Sequence, residues 1–390
     1  MELKTGYKQT EIGAIPEAWE LTTLGGFVSL QRGHDLTERN RRCGEVPIMG
    51  SAGQNGFHDV ALAKGPGVVL GRSGASFGQA HFCEVDFWPH NTALYVTDFH
   101  ANNPRFAYYV LSSIDFGRYN SGGAQQSLNR NFIAPIPVPR PPTTAEQEAI
   151  SGALSDADAL IESLEHFISK KRYLKLGAMQ ELLAGKRRLP GFSGEWVVKR
   201  LEELADIRSG GTPSTAQPQF WDGDVLWCTP TDITALKGRK YLSETNRKIT
   251  VQGLECSSAE LIPANSIVMT SRATIGECAI NAVPVSTNQG FKNVVPFENV
   301  DVDFLYYLLQ TKKQDFISLC GGSTFLEISK TQLAAFSVGV PETRAEQTAI
   351  AAVLSDIDAE IITLEAKLAK ARQLKQGMMQ ELLTGRIRLV

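Results

Sequence analysis

Arginine, asparagine and glutamine in short polar loops are the side chains of this sequence best placed for chemistry, and that chemistry is hydrogen bonding. Arginine can bond guanine through two parallel N–H groups, and Asn or Gln can do the same to adenine. The first half carries Arg32-Gly33, Arg39-Asn40-Arg41-Arg42, Gly71-Arg72-Ser73-Gly74, His90-Asn91-Thr92 and Ser121-Gly122-Gly123-Ala124-Gln125-Gln126. The second carries Arg208-Ser209-Gly210-Gly211-Thr212, Ser271-Arg272-Ala273-Thr274, Thr287-Asn288-Gln289 with Lys292, and Gly321-Gly322-Ser323-Thr324. Glycine beside arginine lets the backbone approach a base or phosphate closely. One such loop is ordinarily a solvated turn. The weight lies in similar loops recurring in both halves with different side chains.

Bond-making chemistry is not legible. There is no G-x-x-x-x-G-K-[ST] loop, no H-E-x-x-H and no G-x-S-x-G. Gly65-Pro66-Gly67 fails as a nucleotide fingerprint, because the next glycine, Gly71, comes one place late and a strand follows. Asn103-Pro104-Arg105-Phe106 lacks the second proline of a methyltransferase N-P-P-[YF] loop and reads as a turn before a helix. His81, Cys83 and His90 lack a fourth ligand for zinc, so no metal site is assigned. The six cysteines are scattered without a C-x-x-C pair, which favours reduced thiols and a cytoplasmic location. No apolar run is long enough to span a bilayer, and the N-terminal residues lack a signal peptide's apolar stretch.

The elements that must hold these loops are written twice. Residues 143–189 align without a gap to 343–389, and 27 of 47 positions are identical. Trp19, Leu24 and Gly33 match Trp196, Leu201 and Gly210 at equal spacing, and Asn91-Thr92 resembles Asn288-Gln289. The chain therefore divides into a globular segment 1–142, a helical block 143–189, a second globular segment 190–342 and a second block 343–390. Each globular segment reads as an α/β or α+β domain. Strands are expected at Val68–Leu70 and Ser266–Met269, and helices at 106–111 and 304–309.

Each repeated block opens on Thr143-x-x-Glu146 or Thr343-x-x-Glu346, a reciprocal capping box. Apolar residues then fall at Ile150, Leu154, Ala157, Ile161, Leu164 and Ile168, with spacing 4, 3, 4, 3, 4. The second copy runs Ile350, Leu354, Ile357, Ile361, Leu364 and Leu368. This is a heptad seam. It breaks at Lys175 and Lys375, where a bend or a change of partner near Gly177 and Gly377 is expected, and Gly185 and Gly385 read as C-caps. About 40 residues make roughly 60 Å of helix. A helix that long needs a mate, so the two copies are expected to pack as an antiparallel coiled coil with a pseudo-twofold relation between the halves.

Charge limits what the chain binds alone. Its formal net charge is −3; residues 1–142 hold 12 basic and 12 acidic residues, and 190–342 hold 13 and 17. Phosphate attraction scales with cationic contacts, so local arginine clusters would read a duplex and partner proteins would add affinity.

The chain as a whole resembles the specificity subunit of a type I restriction–modification system. The resemblance is carried by Gly6-Tyr7-Lys8-Gln9-Thr10-Glu11-Ile12-Gly13-Ala14-Ile15-Pro16-Glu17-Ala18-Trp19, by Ala145-Glu146-Gln147 through Met179-Gln180-Glu181-Leu182-Leu183-Ala184-Gly185 with its echo, and by Pro190-Gly191-Phe192-Ser193-Gly194-Glu195-Trp196. It implies two target recognition domains, each reading half of a bipartite site in double-stranded DNA. It also implies that the paired helices set the spacer and dock two modification subunits. Those subunits would bring S-adenosylmethionine, and motor–nuclease restriction subunits would bring ATP and Mg²⁺. This chain itself would hold no cofactor and catalyse nothing. The C-terminus, ending at Leu389-Val390, is expected beside Thr10–Trp19. Competing readings are a structural coiled-coil adaptor and a self-contained DNA methyltransferase or nuclease.

Overall fold

The computed structural model describes residues 5–120, 126–320 and 326–389. They form two compact units, one made of the chain up to Glu165 together with 366 onward, the other of His166–Glu365. No helix of the described residues is long and apolar enough to cross a membrane.

The first unit is built on a four-stranded antiparallel sheet, ordered Ser29–Arg32, Ala93–Asp98, Gly67–Gly71, Ala80–Cys83. Val68, Val69 and Leu70 are fully buried, as a central strand covered on both faces requires. The helix Pro104–Ser113 covers one face, with Asn103 capping its start by accepting from the amide of Phe106. A three-stranded sheet of Gly53–His58, Val46–Gly50 and Trp88–Pro89 lies beside it. Pro137–Arg140, within a stretch that also holds Pro135, Pro141 and Pro142, is extended, as proline's ring constraint favours, and pairs with Glu20–Thr23.

The second unit repeats this plan. Its five-stranded sheet runs Ala205–Ser209, Phe291–Pro296, Ile267–Thr270, Cys278–Asn281 and Tyr241–Leu242, with Val302–Thr311 as the covering helix. Val197–Arg200 pairs with Ser337–Val340 as Glu20–Thr23 does with Pro137–Arg140.

The repeated blocks are two 39-residue helices, Thr144–Leu182 and Arg344–Leu382. Both end at glycines with positive φ, Gly185 at +66° and Gly385 at +71°. In each unit a segment of one helix lies against a segment of the other. In the first unit Asp158 meets Lys375 at 2.5 Å, and Glu165 meets Arg372 at 2.6 Å. In the second, Asp358 meets Lys175 at 2.7 Å, and Glu365 meets Arg172 at 2.7 Å. As one partner advances along its helix the other retreats, so the packing is antiparallel. Ile150, Leu154, Leu164, Ile168, Ile350, Leu354 and Ile361 are buried, whereas Ile161, Leu364 and Leu368 are half-buried.

Both helices continue unbroken through Gly177 and Gly377. The seam lysines are accommodated instead by an aspartate across the pair. That aspartate also accepts from a tyrosine of the covering helix, Tyr109 to Asp158 at 2.8 Å and Tyr307 to Asp358 at 2.7 Å. Each tyrosine's pKa is pushed up, mainly by burial.

The capping box is half made. Thr143 and Thr343 accept from the amides of Glu146 and Glu346, but the glutamates do not reach back. Glu146, 2% exposed, instead takes Arg388 through both oxygens at 2.8 and 2.9 Å and accepts from the indole of Trp19 at 3.2 Å. Glu346, 4% exposed, takes Arg188 at 2.6 Å twice and the indole of Trp196 at 3.4 Å. Each clamp ties the chain leaving one helix to the first turn of the other. Tyr7 completes the first by donating to the carbonyls of Gly385 and Arg386, which puts the C-terminal residues beside the N-terminal segment.

Removing the arginine strands a buried carboxylate. Arg388→Ala, which leaves Glu146 buried and unpaired, is therefore expected to cost roughly 3–5 kcal/mol. Urea unfolding of the full chain should show this loss, and Arg188→Ala a similar one. A cost under about 1 kcal/mol, the range of an exposed pair, would refute the clamp.

Candidate nucleic-acid interface

The arginine- and asparagine-bearing loops lie at one end of each main sheet, and backbone hydrogen bonds set their correspondence. Gly33 N–H donates to Ala93 and His34 N–H to Pro89; Gly210 and Gly211 donate to Phe291 and Thr287. A Cβ on Gly33 would lie 2.1 Å from the carbonyl oxygen of His90, and one on Gly210 would lie 1.9 Å from that of Asn288. Only glycine permits these crossings. Leu128 N–H donates to Arg72, as Ile328 N–H does to Ser271, and Ser73 bridges Ser127 as Arg272 bridges Glu327.

These pairings correct the sequence register by one residue. Asn91 corresponds to Gln289 rather than Asn288. Arg72 corresponds to Ser271 and Ser73 to Arg272, so the two arginines are not equivalents. Matched positions make matched contacts with different groups: Asn91 donates to Asp35, and Thr212 donates to Gln289.

In the first unit Arg32, Arg72 and Arg130 line a cleft of about 870 Å³ with Asp35, Ser127 and Asn129. Arg130 donates to the carbonyl of Leu30 at 3.3 Å. Arg32 and Arg72 make no side-chain hydrogen bond or ion pair with the described residues. Arg39 is exposed on a single helical turn, Glu38–Asn40. Arg41 donates to the carbonyl of Asn55 at 3.2 Å and Arg42 pairs with Asp59 at 3.0 Å. Those two brace their loop. Gln126 is exposed, whereas Gly122, Gln125, Ser323 and Thr324 lie outside the described residues.

The second unit spends its cations on carboxylates. Arg208 pairs with Asp206 at 2.7 Å and Glu260 at 3.3 Å, and the bond to Asp206 raises its pKa. Arg272 pairs with Glu327 at 2.9 Å. Lys292 is 6% exposed, too buried to meet a base, and burial lowers its pKa. Thr274 closes its own turn, its carbonyl accepting from Thr270 at 2.5 Å. Asn288 is occupied in the same way by the amide of Gly290 at 2.9 Å, which leaves Gln289 as the exposed amide.

Sequence reasoning missed Asp35, Arg130 and Glu327. Arg130 was findable, because Asn129-Arg130 and Ser329-Lys330 both cap and open a short helix at a 200-residue offset. The acids carried no such signal, since carboxylates are not the expected partners of DNA.

Among the described residues no group of His, Cys, Asp and Glu could hold a metal ion. The cysteines are free; Cys43 and Cys256 are exposed, and burial pushes the Cys278 thiol up to about 12.

The family model of the type I restriction modification DNA specificity domain matches residues 16–170 and again 193–373. The chain belongs to this family. The MjaIX specificity subunit of Methanocaldococcus jannaschii is 37% identical over 166 residues, covering 42% of this chain and 38% of that protein. This chain thus spans well under half the length of that relative. The EcoR124I/EcoR124II specificity subunit of Escherichia coli is 28% identical over 284 residues, 70% of this chain and 67% of that protein. The S subunit of M. genitalium, 15% identical, shares the fold over 98% of both chains with a TM-score of 0.65.

Gly33→Ala or Gly210→Ala is expected to force these loops apart, lowering stability by about 1–3 kcal/mol in urea titrations. Unchanged stability would contradict the close crossing.

Proposed function

We propose that this chain is the DNA sequence recognition subunit of a type I restriction–modification complex, each unit reading one half of a bipartite duplex site. The observation that carries the reading is the pair of topologically matched loop clusters whose side chains differ at matched positions. A repeated scaffold with unlike contact groups suits two different half-sites. A coiled-coil adaptor would leave both loop clusters unexplained.

The chain supplies address and no bond chemistry. With a net charge of −3 it needs partners for phosphate affinity. Two modification subunits bringing S-adenosylmethionine would dock on the paired helices and methylate adenine after extruding it from the stack. Motor–nuclease subunits would bring ATP and Mg²⁺. The helices, from which the globular segments depart, act in this reading as the ruler for the unread spacer.

Two measurements on the assembled complex test this. Deleting one heptad from 150–168 with its match in 350–368 is expected to shorten the accepted spacer and leave both half-sites unchanged. Altered half-sites with an intact spacer would contradict the ruler. Arg72→Ala is expected to weaken only the half-site of the first unit, by about 1–3 kcal/mol for a base contact. A loss spread evenly over all sequences would mean a phosphate contact.

A further inference from the structure

Arg272, Glu327 and Lys292 form a charged cluster in the second unit with no counterpart in the first, where Ser73, Ser127 and Leu94 hold the matched positions. Arg272 and Glu327 are locked first by their backbones, which form an antiparallel bridge, and by Ile328 N–H donating to the carbonyl of Ser271 at 3.1 Å. Their side chains then meet. Arg272 Nε lies 2.9 Å from Glu327 Oε2, and Lys292 Nζ lies 3.6 Å from Glu327 Oε1. Side-chain exposures are 37% for Arg272, 32% for Glu327 and 7% for Lys292.

The geometry is that of an aimed arginine. Nε is buried against the carboxylate, and its N–H is not aligned for a hydrogen bond, so the contact is an ion pair. A base arriving from solvent therefore meets the terminal edge of the guanidinium, with its two nitrogens side by side. Guanine presents two adjacent acceptors, O6 and N7, to such an edge; adenine presents a donor where O6 would be. Lys292 anchors the carboxylate from below. Burial pushes the Glu327 carboxyl up, but the two cations outweigh it and hold it ionised.

We propose that Arg272 reads a guanine in the half-site of the second unit and that Glu327 is the positioning residue that aims it. The assignment rests on the DNA-recognition reading above and deepens it.

The test is selection from a random duplex pool by the full chain assembled with its modification subunits. The unsubstituted complex is expected to select a bipartite site with one guanine that depends on Arg272. Arg272→Ala should lower discrimination at that single position about 5- to 150-fold and leave the other half-site intact. Glu327→Ala should reduce discrimination at the same position although the arginine remains, and Glu327→Asp, which keeps the carboxylate charge, should recover part of it. Arg272→Lys, which keeps the charge and the salt dependence but not the two-nitrogen edge, should weaken the guanine preference. A site whose base preferences survive Arg272→Ala and Arg272→Lys overturns the guanine assignment alone. A Glu327→Ala effect spread over all positions overturns the positioning role. Failure of the unsubstituted complex to select any sequence overturns the recognition reading together with this one.

Discussion

A buried glutamate shared between an arginine and an indole is the interaction on which the rest of this structure depends. Glu146 and Glu346 each stand in the first turn of a long helix and receive the chain that has just left the other long helix. Desolvating a carboxylate is costly unless every acceptor is satisfied. Here a bidentate guanidinium and a tryptophan N–H meet that demand. The clamp fixes where each helix begins relative to where its partner ends, so the antiparallel contacts further along follow without choice of register.

The seam polar groups act in the same sense. Lys175 and Lys375 would be faults in a purely apolar heptad seam. Each becomes a registration point, because a single aspartate must meet both the lysine and a tyrosine from the covering helix. A one-heptad slip would separate all three. The covering helix is thereby tied to the rod segment of its own unit, and the sheet to that helix. The loops at the sheet end inherit their placement from a chain of contacts that starts at the glutamate.

What the sequence disclosed follows from where its constraints are redundant. The helical blocks were legible because 47 aligned positions and a heptad period state the same thing twice. Val68–Leu70 and the helix after Asn103 were legible from local pattern alone. The glutamate clamp was not, because Thr143-x-x-Glu146 is also a good capping box and the true partner lies 242 residues away. The loop register slipped for a different reason. Arg72 and Arg272 coincide at the 200-residue offset, yet the turns after Gly71 and Thr270 differ by one residue. Only ladder hydrogen bonds, closed by Gln79 in one unit and Glu277 in the other, show which residues correspond. Composition pointed to arginine and amide loops but could not say which of them carboxylates had already taken.

The central claim is that the two units read independently. Its most direct test is sequencing of methylated adenines in cells that carry the chain and the modification subunit proposed for it, with residues 197–340 exchanged for the matching segment of another family member. One half-site should change while the other half-site stays as it was. If both half-sites change together, or neither does, the claim that each unit reads its own half is wrong.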